Sequence, residues 1–143
     1  VLGGVELEHQ KGSKAHSDGD VLTHAVMESV LGAAALGDIG VHFPDDDKEF
    51  KGADSMELLG RVVRIIASAG YEINNIDVTV VAEKPKLSPH TARMRSRIAA
   101  TLEIGVNQVS IKATTNEGFG ETGKGRAIKA YAVASLKKLT GAA

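Results

Sequence analysis

The 143 residues contain no cysteine, so no disulfide braces the fold and no thiolate holds a metal. Any metal must sit on His, Asp, Glu or backbone oxygens, and the absence fits a reducing compartment. Tryptophan is also missing, and the aromatics stop at three Phe and two Tyr. Small aliphatic residues supply most of the apolar content, which suggests that part of the apolar surface is covered between subunits. Neither charge is in surplus, with 17 Lys plus Arg against 18 Asp plus Glu. That balance argues against a broad polyanion-binding surface and so against a nucleic-acid partner. No run approaches the roughly 20 apolar residues of a membrane span, so no membrane partner is expected. The first residue is Val1 rather than an initiator Met. The natural chain is expected to begin earlier, and this end carries no information on targeting.

What is present makes one domain by length. Asp20 is a good N-cap for a helix from about Val21 to Leu36, with Gly37 as its C′ residue and Leu22, Val26, Val30 and Ala33 as its buried stripe. Residues 38–52 have no period and several turn formers, and read as a loop. Asp54 opens a second helix with Glu57 at capping-box spacing; Leu58, Leu59, Val62, Val63 and Ile66 form its apolar face, and Gly70 ends it. Ile76, Val78, Val80 and Ala82 alternate with Asp77, Thr79 and Val81, and Val109, Ile111 and Ala113 with Ser110, Lys112 and Thr114, so both stretches read as strands. Between them Ser88-Pro89 supplies an N-cap and a Pro at N1 for a third helix that ends before Gly105. The tail from Ala127 to Leu139 is ambiguous: its alanines favour helix, while Ile128, Ala130, Ala132, Ala134 and Leu136 also fit period two. The pattern as a whole is α+β.

Two well-known glycine patterns overlap in "GFGETGKG", Gly118 to Gly125. A phosphate-binding P-loop needs Ser or Thr after the lysine, and Gly125 stands there instead. A dinucleotide fingerprint needs a helix, another strand and an acidic residue about 20 positions on, and too little chain remains. The stretch is read as a flexible glycine loop whose backbone N–H groups can still approach a phosphate. "DGD" at Asp18 to Asp20 resembles the start of a calcium loop, but Thr23 and Ser29 occupy the positions that must be Gly and Glu.

Taken singly, the remaining polar residues have bland readings. A lone His24 in a first helical turn is ordinarily solvated, Asp45-Asp46-Asp47 is ordinarily a solvated turn, and Lys84 and Lys86 are ordinarily surface charge. Together they point further. His16 and His24 flank a capped helix start that favours an anion. "ATTNEG", Ala113 to Gly118, puts two hydroxyls and a carboxylate at the end of a strand. Imidazole for a metal, a helix N-terminus for phosphate and a Thr/Glu cluster for a phosphate-bound cation suit phosphoryl chemistry.

Five stretches then resemble one family, 2-C-methyl-D-erythritol 2,4-cyclodiphosphate synthase. They are "LGGV" at Leu2, "AHSDGDVLTHAV" at Ala15, "LGAAALGDIGVHFPDDDKEFKGADS" at Leu31, "AEKPKLSPH" at Ala82 and "IKATTNEGFGETGKG" at Ile111. They follow family order and cover nearly the whole chain. The resemblance implies an α+β domain with a mixed four-stranded sheet and helices on one face, the ambiguous tail being a strand. It implies a homotrimer with active sites at subunit boundaries. The implied enzyme is a metal-dependent phosphorus–oxygen lyase of the non-mevalonate isoprenoid pathway, in a bacterial cytoplasm or a plastid stroma. Its cytidine diphosphate substrate, 4-diphosphocytidyl-2-C-methyl-D-erythritol 2-phosphate, cyclises when the 2-phosphate attacks the β-phosphorus and CMP leaves.

Carried over residue by residue, the resemblance makes His24 a ligand of zinc or another divalent transition metal. His16 and Ser17 contact the substrate phosphate, His16 as a transition-state stabiliser. Asp38, Ile39 and Gly40, then Phe43, Pro44, Asp45, Asp46 and Asp47, hold the methylerythritol part. Ala82, Glu83, Lys84, Pro85, Lys86, Leu87 and Ser88 form the cytidine pocket. Thr114, Thr115, Asn116 and Glu117 line the diphosphate, with Thr115 the second stabiliser and Glu117 the ligand of magnesium or manganese.

Three departures stand out. The family's upstream Asp-x-His, which supplies two further zinc ligands, has no counterpart in this sequence, and the full-length protein is expected to carry one. Glu121 stands where an apolar or aromatic residue is common, and Lys124 where Arg is usual. These two positions lie near the trimer axis, where some members hold an isoprenoid diphosphate. A carboxylate there opposes that ligand, and Lys cannot reproduce bidentate contacts. A rival of another class is a trimer that binds the nucleotide without catalysis.

Overall fold

Asp20 begins the first helix as the sequence requires, its side chain accepting from the Thr23 N–H at 3.0 Å. The computed structural model describes residues 1–7, 19–44, 53–125 and 127–139. Helix α1 (Val21–Ala33) buries Leu22, Thr23, Val26, Met27, Val30 and Leu31. It ends sooner than expected, and Ala33 is exposed. Ala35 (φ 58) takes the C′ place expected of Gly37, which is itself at φ 88, and the Leu36 N–H returns to the Leu31 carbonyl at 2.9 Å. The chain read as a featureless loop then makes one helical turn, α2 (Ile39–His42), capped by Asp38.

Helix α3 (Ser55–Ser68) is capped by Asp54, which accepts from Met56 N–H. Glu57 faces Arg61 at 3.7 Å instead of closing a capping box. Leu58, Leu59, Val62 and Ile66 are buried as predicted, while Val63 is only partly so. Strand β1 (Tyr71–Val81) starts five residues ahead of the alternation seen in sequence. Ser88 is not a side-chain cap: Ser88–His90 is a 3₁₀ turn, its first carbonyl accepting from Thr91 Oγ1, and α4 (Thr91–Leu102) follows. Strand β2 (Val109–Thr114), a single turn α5 (Gly120–Gly123) and strand β3 (Lys129–Lys138) complete the order. The ambiguous tail is therefore strand.

The sheet order is β2-β1-β3, with β2 parallel and β3 antiparallel to β1. It is mixed, as expected, but has three strands among the described residues rather than four. Near the N-terminus Leu2 and Val5 pair with each other in an isolated bridge, through left-handed Gly3 and Gly4. That turn is pressed against α4, since a Cβ on Gly3 would come within 2.9 Å of the Met94 side chain.

Helices α1, α3 and α4 pack against β3, β1 and β2. Ile73, Ile76, Val78 and Val80 from the central strand are buried in the core, and the β3 alanines pack against it. The other face carries Lys112, Thr79 and Tyr131 in one row and Asp77 and Val133 in the next. On it Tyr131 is 59% exposed and Val133 70%. No helix among the described residues is long and apolar enough to cross a membrane.

Candidate active site

Because β1 and β2 run parallel, their C-terminal ends meet at one edge of the sheet, and the two loops that leave there are bonded together. Ala82 N–H donates to the Thr114 carbonyl at 3.0 Å, one rung beyond the ladder. Glu83 Oε1 accepts from the N–H groups of Asn116 and Gly118, both at 3.1 Å. The second loop also folds on itself. The Asn116 side-chain amide donates to the Phe119 carbonyl, Phe119 N–H returns to the Asn116 carbonyl, and Glu117 N–H donates to Thr115 Oγ1 at 3.3 Å. Glu117 sits at φ 54, a left-handed conformation uncommon for a residue with a Cβ.

Helix α5 follows at once, so the glycine stretch is not the irregular loop expected of it. Its tightness depends on Gly123, where a Cβ would lie 2.2 Å from the Gly118 carbonyl carbon. The strand that comes next runs antiparallel to β1, which removes the P-loop and dinucleotide readings a second time. Thr114, Thr115, Asn116 and Glu117 are exposed, as are Lys84, Lys86, Ser88, Glu121 and Lys124. Ala82 and Leu87 are buried, and Lys84–Pro85 is a cis peptide.

A second group lies on α1 and α2. His24, half-buried, is in the first turn of α1, its N–H bonded to the Asp20 carbonyl at 3.0 Å. One turn on, Glu28 accepts from Ile39 N–H and so ties α2 to α1. Asp38 Oδ1 accepts from Val41 N–H at 3.0 Å, and His42 Nε2 lies 2.9 Å from the Leu36 carbonyl. Phe43 is buried in the core and Pro44 is exposed. The proposed methylerythritol loop thus begins with one Asp38 oxygen committed to a helix cap. His16, Ser17, Asp45, Asp46 and Asp47 lie outside the described residues.

The bonds of three side chains that order this region escape a sequence reading, although Glu83 itself falls in the stretch read as the cytidine pocket. Glu28 and Glu83 make bonds across 11 and 33 residues, and no local period announces such partners. Arg95 is the third, donating to the carbonyls of Val109 and Val106 and so fixing the start of β2 against α4. For metals, no three His, Asp or Glu side chains converge among the described residues. His24 alone and Glu117 alone fall short of the donor set a zinc or magnesium site requires.

The YgbB family model matches residues 1–137. The chain belongs to the YgbB family. Both bonded loops and both short helices lie inside that match. Relatives named 2-C-methyl-D-erythritol 2,4-cyclodiphosphate synthase include that of Alkaliphilus oremlandii, 51% identical over 96% of this chain and 88% of the relative. That of Synechococcus elongatus is 55% identical over 95% of this chain and 85% of its own. Among solved structures, the bifunctional IspDF from Campylobacter jejuni superposes with TM-score 0.92 at 42% identity, over 97% of this chain and 38% of that one. A 2C-methyl-D-erythritol-2,4-cyclodiphosphate synthase with CDP bound gives 0.87 at 28% identity, over 96% and 89%.

Proposed function

We infer that this YgbB-family chain works as a 2-C-methyl-D-erythritol 2,4-cyclodiphosphate synthase in isoprenoid biosynthesis. The observation that carries the inference is the 51% and 55% identity, over nearly the whole chain, to relatives of that name. The substrate is 4-diphosphocytidyl-2-C-methyl-D-erythritol 2-phosphate. An oxygen of its 2-phosphate bonds to the β-phosphorus, the bond from that phosphorus to the bridging oxygen breaks, and CMP departs with the electron pair. The nucleophile is already an anion, so little general-base help is needed. The enzyme's work is to hold two ends of one molecule together and to meet the developing charge with fixed donors.

In the finer reading, which makes the enzyme a phosphorus–oxygen lyase, the Ala82 to Ser88 stretch takes the cytidine. Thr114 to Glu117 takes the diphosphate, with the Thr115 hydroxyl as the donor that strengthens at the transition state. Asp38, Ile39 and Gly40, with Phe43 to Asp47, take the methylerythritol part, and His16 and Ser17 the phosphate. His24 contributes the imidazole of a zinc site and Glu117 the carboxylate of a magnesium or manganese site, each needing donors beyond it. Such cations offset repulsion between anionic phosphates.

The proposed assembly is a homotrimer in which the His24 group of one subunit faces the Thr115 loop of another. The exposed side chains of Tyr131 and Val133, two residues apart on one face of β3, support it, since large apolar side chains left in solvent favour a partner. The proposed compartment is a bacterial cytoplasm or a plastid stroma. Incubation with the substrate and a divalent cation, followed by ³¹P NMR and chromatography, tests the reaction. Equimolar CMP and cyclic diphosphate are expected. CDP binding without CMP release would replace the synthase with a nucleotide-binding trimer.

A further inference from the structure

We propose that Glu83 is a positioning residue for this reaction: its carboxylate braces the turn that presents Thr115 and Glu117. The proposal rests on the synthase reading for the meaning of those two side chains, and on the hydrogen bonds for everything else. One oxygen, Oε1, accepts from the N–H groups on either side of Glu117, at Asn116 and Gly118. Between them Glu117 holds φ 54, a conformation that L side chains disfavour and that persists only where surroundings fix it. Two bonds to a charged acceptor are a strong fixing force, about twice as strong as neutral ones.

The same contact settles what the backbone of this turn is free to do. Two N–H groups pointing into one concavity make an anion nest, and here the chain's own carboxylate fills it. A substrate phosphate at this turn therefore meets side chains, Thr115 and whatever Glu117 binds, and not the Asn116 and Gly118 amides. The Glu83 side chain is turned toward the phosphate loop and away from a nucleobase role. With Ala82 N–H bonded to the Thr114 carbonyl, it makes the nucleoside loop and the phosphate loop one rigid unit. Seating a cytidine on one then places the diphosphate against the other.

The test compares Glu83→Ala and Glu83→Gln with the parent protein by turnover, CDP affinity and amide hydrogen exchange. The glutamine keeps an Oε1 that accepts both bonds; the alanine keeps none. In Glu83→Ala, exchange at Asn116 and Gly118 is expected to quicken several-fold while amides in the centre of β1 are unchanged. The rate constant for CMP release should fall by about 10- to 100-fold, as small misplacements do, with a smaller loss of CDP affinity. Glu83→Gln should restore most of the exchange protection and most of the rate. A weaker CDP affinity with an unchanged rate constant would assign Glu83 to the nucleobase and overturn the proposal. Unaltered exchange at the two amides would overturn it as well. A parent protein that releases no CMP would defeat the synthase reading instead, and the exchange result would still decide whether Glu83 braces the turn.

Discussion

Asp20 accepts a hydrogen bond from the Gly3 N–H at 2.8 Å, across 17 residues of chain. The other oxygen takes the Gly4 N–H at 2.8 Å, and Thr23 adds its N–H and its hydroxyl. A fully buried carboxylate thus has four of these donors among the described residues, and one side chain joins the Gly3–Gly4 turn to the helix that carries His24. Asp20→Ala removes a helix cap and strands buried N–H groups, and should lower stability by about 3–5 kcal/mol. Asp20→Asn turns an NH₂ against donors and should cost about 1–3 kcal/mol. Urea unfolding measures both; a loss below about 1 kcal/mol for alanine would show that the turn is held by other contacts.

The Asp20 cap was readable from its place before an apolar period, but its bonds to Gly3 and Gly4 were not. A capping signal is local, whereas the turn finds the carboxylate only after the chain has folded back. The end of α1 shows the opposite failure. Gly37, at φ 88, offered the plainer stop signal, yet Leu36 packs against the core and the helix has already turned off at left-handed Ala35. In the tail, alanine propensity competed with period two, and ten residues of antiparallel pairing with β1 decided for strand. The motif stretches around Ala82 and Thr114 were legible as chemistry. Their joining by Glu83 was not, because it depends on two parallel strands ending side by side.

Thr115→Ala should slow turnover while leaving CDP affinity nearly intact. Loss of one positioned donor costs about 2.7–4 kcal/mol of barrier, or roughly 10²–10³ in rate. The alanine also frees Glu117 N–H, which bonds to Thr115 Oγ1, so Thr115→Ser is the informative companion. Serine keeps the hydroxyl and should recover most of the rate. Single-turnover measurement of CMP release checks this, and an unchanged rate constant in the alanine variant would remove Thr115 from the mechanism.

Gly123 and Gly60 should respond oppositely to the same methyl group. At Gly123 a Cβ would lie 2.2 Å from Gly118, so Gly123→Ala must open the turn beside the phosphate loop. Turnover is expected to fall by about 10- to 100-fold, and because the neighbouring Thr122 is buried the unfolding midpoint should fall as well. At Gly60, inside α3, a Cβ meets nothing within 4 Å, and Gly60→Ala should stabilise the protein by about 0.5–1 kcal/mol. Urea unfolding and CMP release on both variants check the pair; a fully active Gly123→Ala enzyme would mean the turn need not be closed for catalysis.

The exposed sheet face leads to the prediction on which the composite site depends. Val133 and Tyr131 stand on β3 opposite Asp77 and Thr79, 70% and 59% exposed in a single chain. Fully burying an aliphatic side chain of this kind is worth about 1.5–3 kcal/mol, and a closed assembly repeats the gain at every subunit. With the trimer that the family resemblance implies, sedimentation equilibrium at micromolar concentration should find three times the 14.9 kDa of one chain. Val133→Lys, set opposite Asp77, replaces an apolar side chain of that face with a charged one and removes its apolar burial, and should shift the protein toward monomer. Because the His24 group and the Thr115 loop are proposed to meet across subunits, the same variant should lose CMP release in proportion to the monomer fraction. Activity retained by a monomeric Val133→Lys protein would put the whole site within one chain and end the shared-site reading.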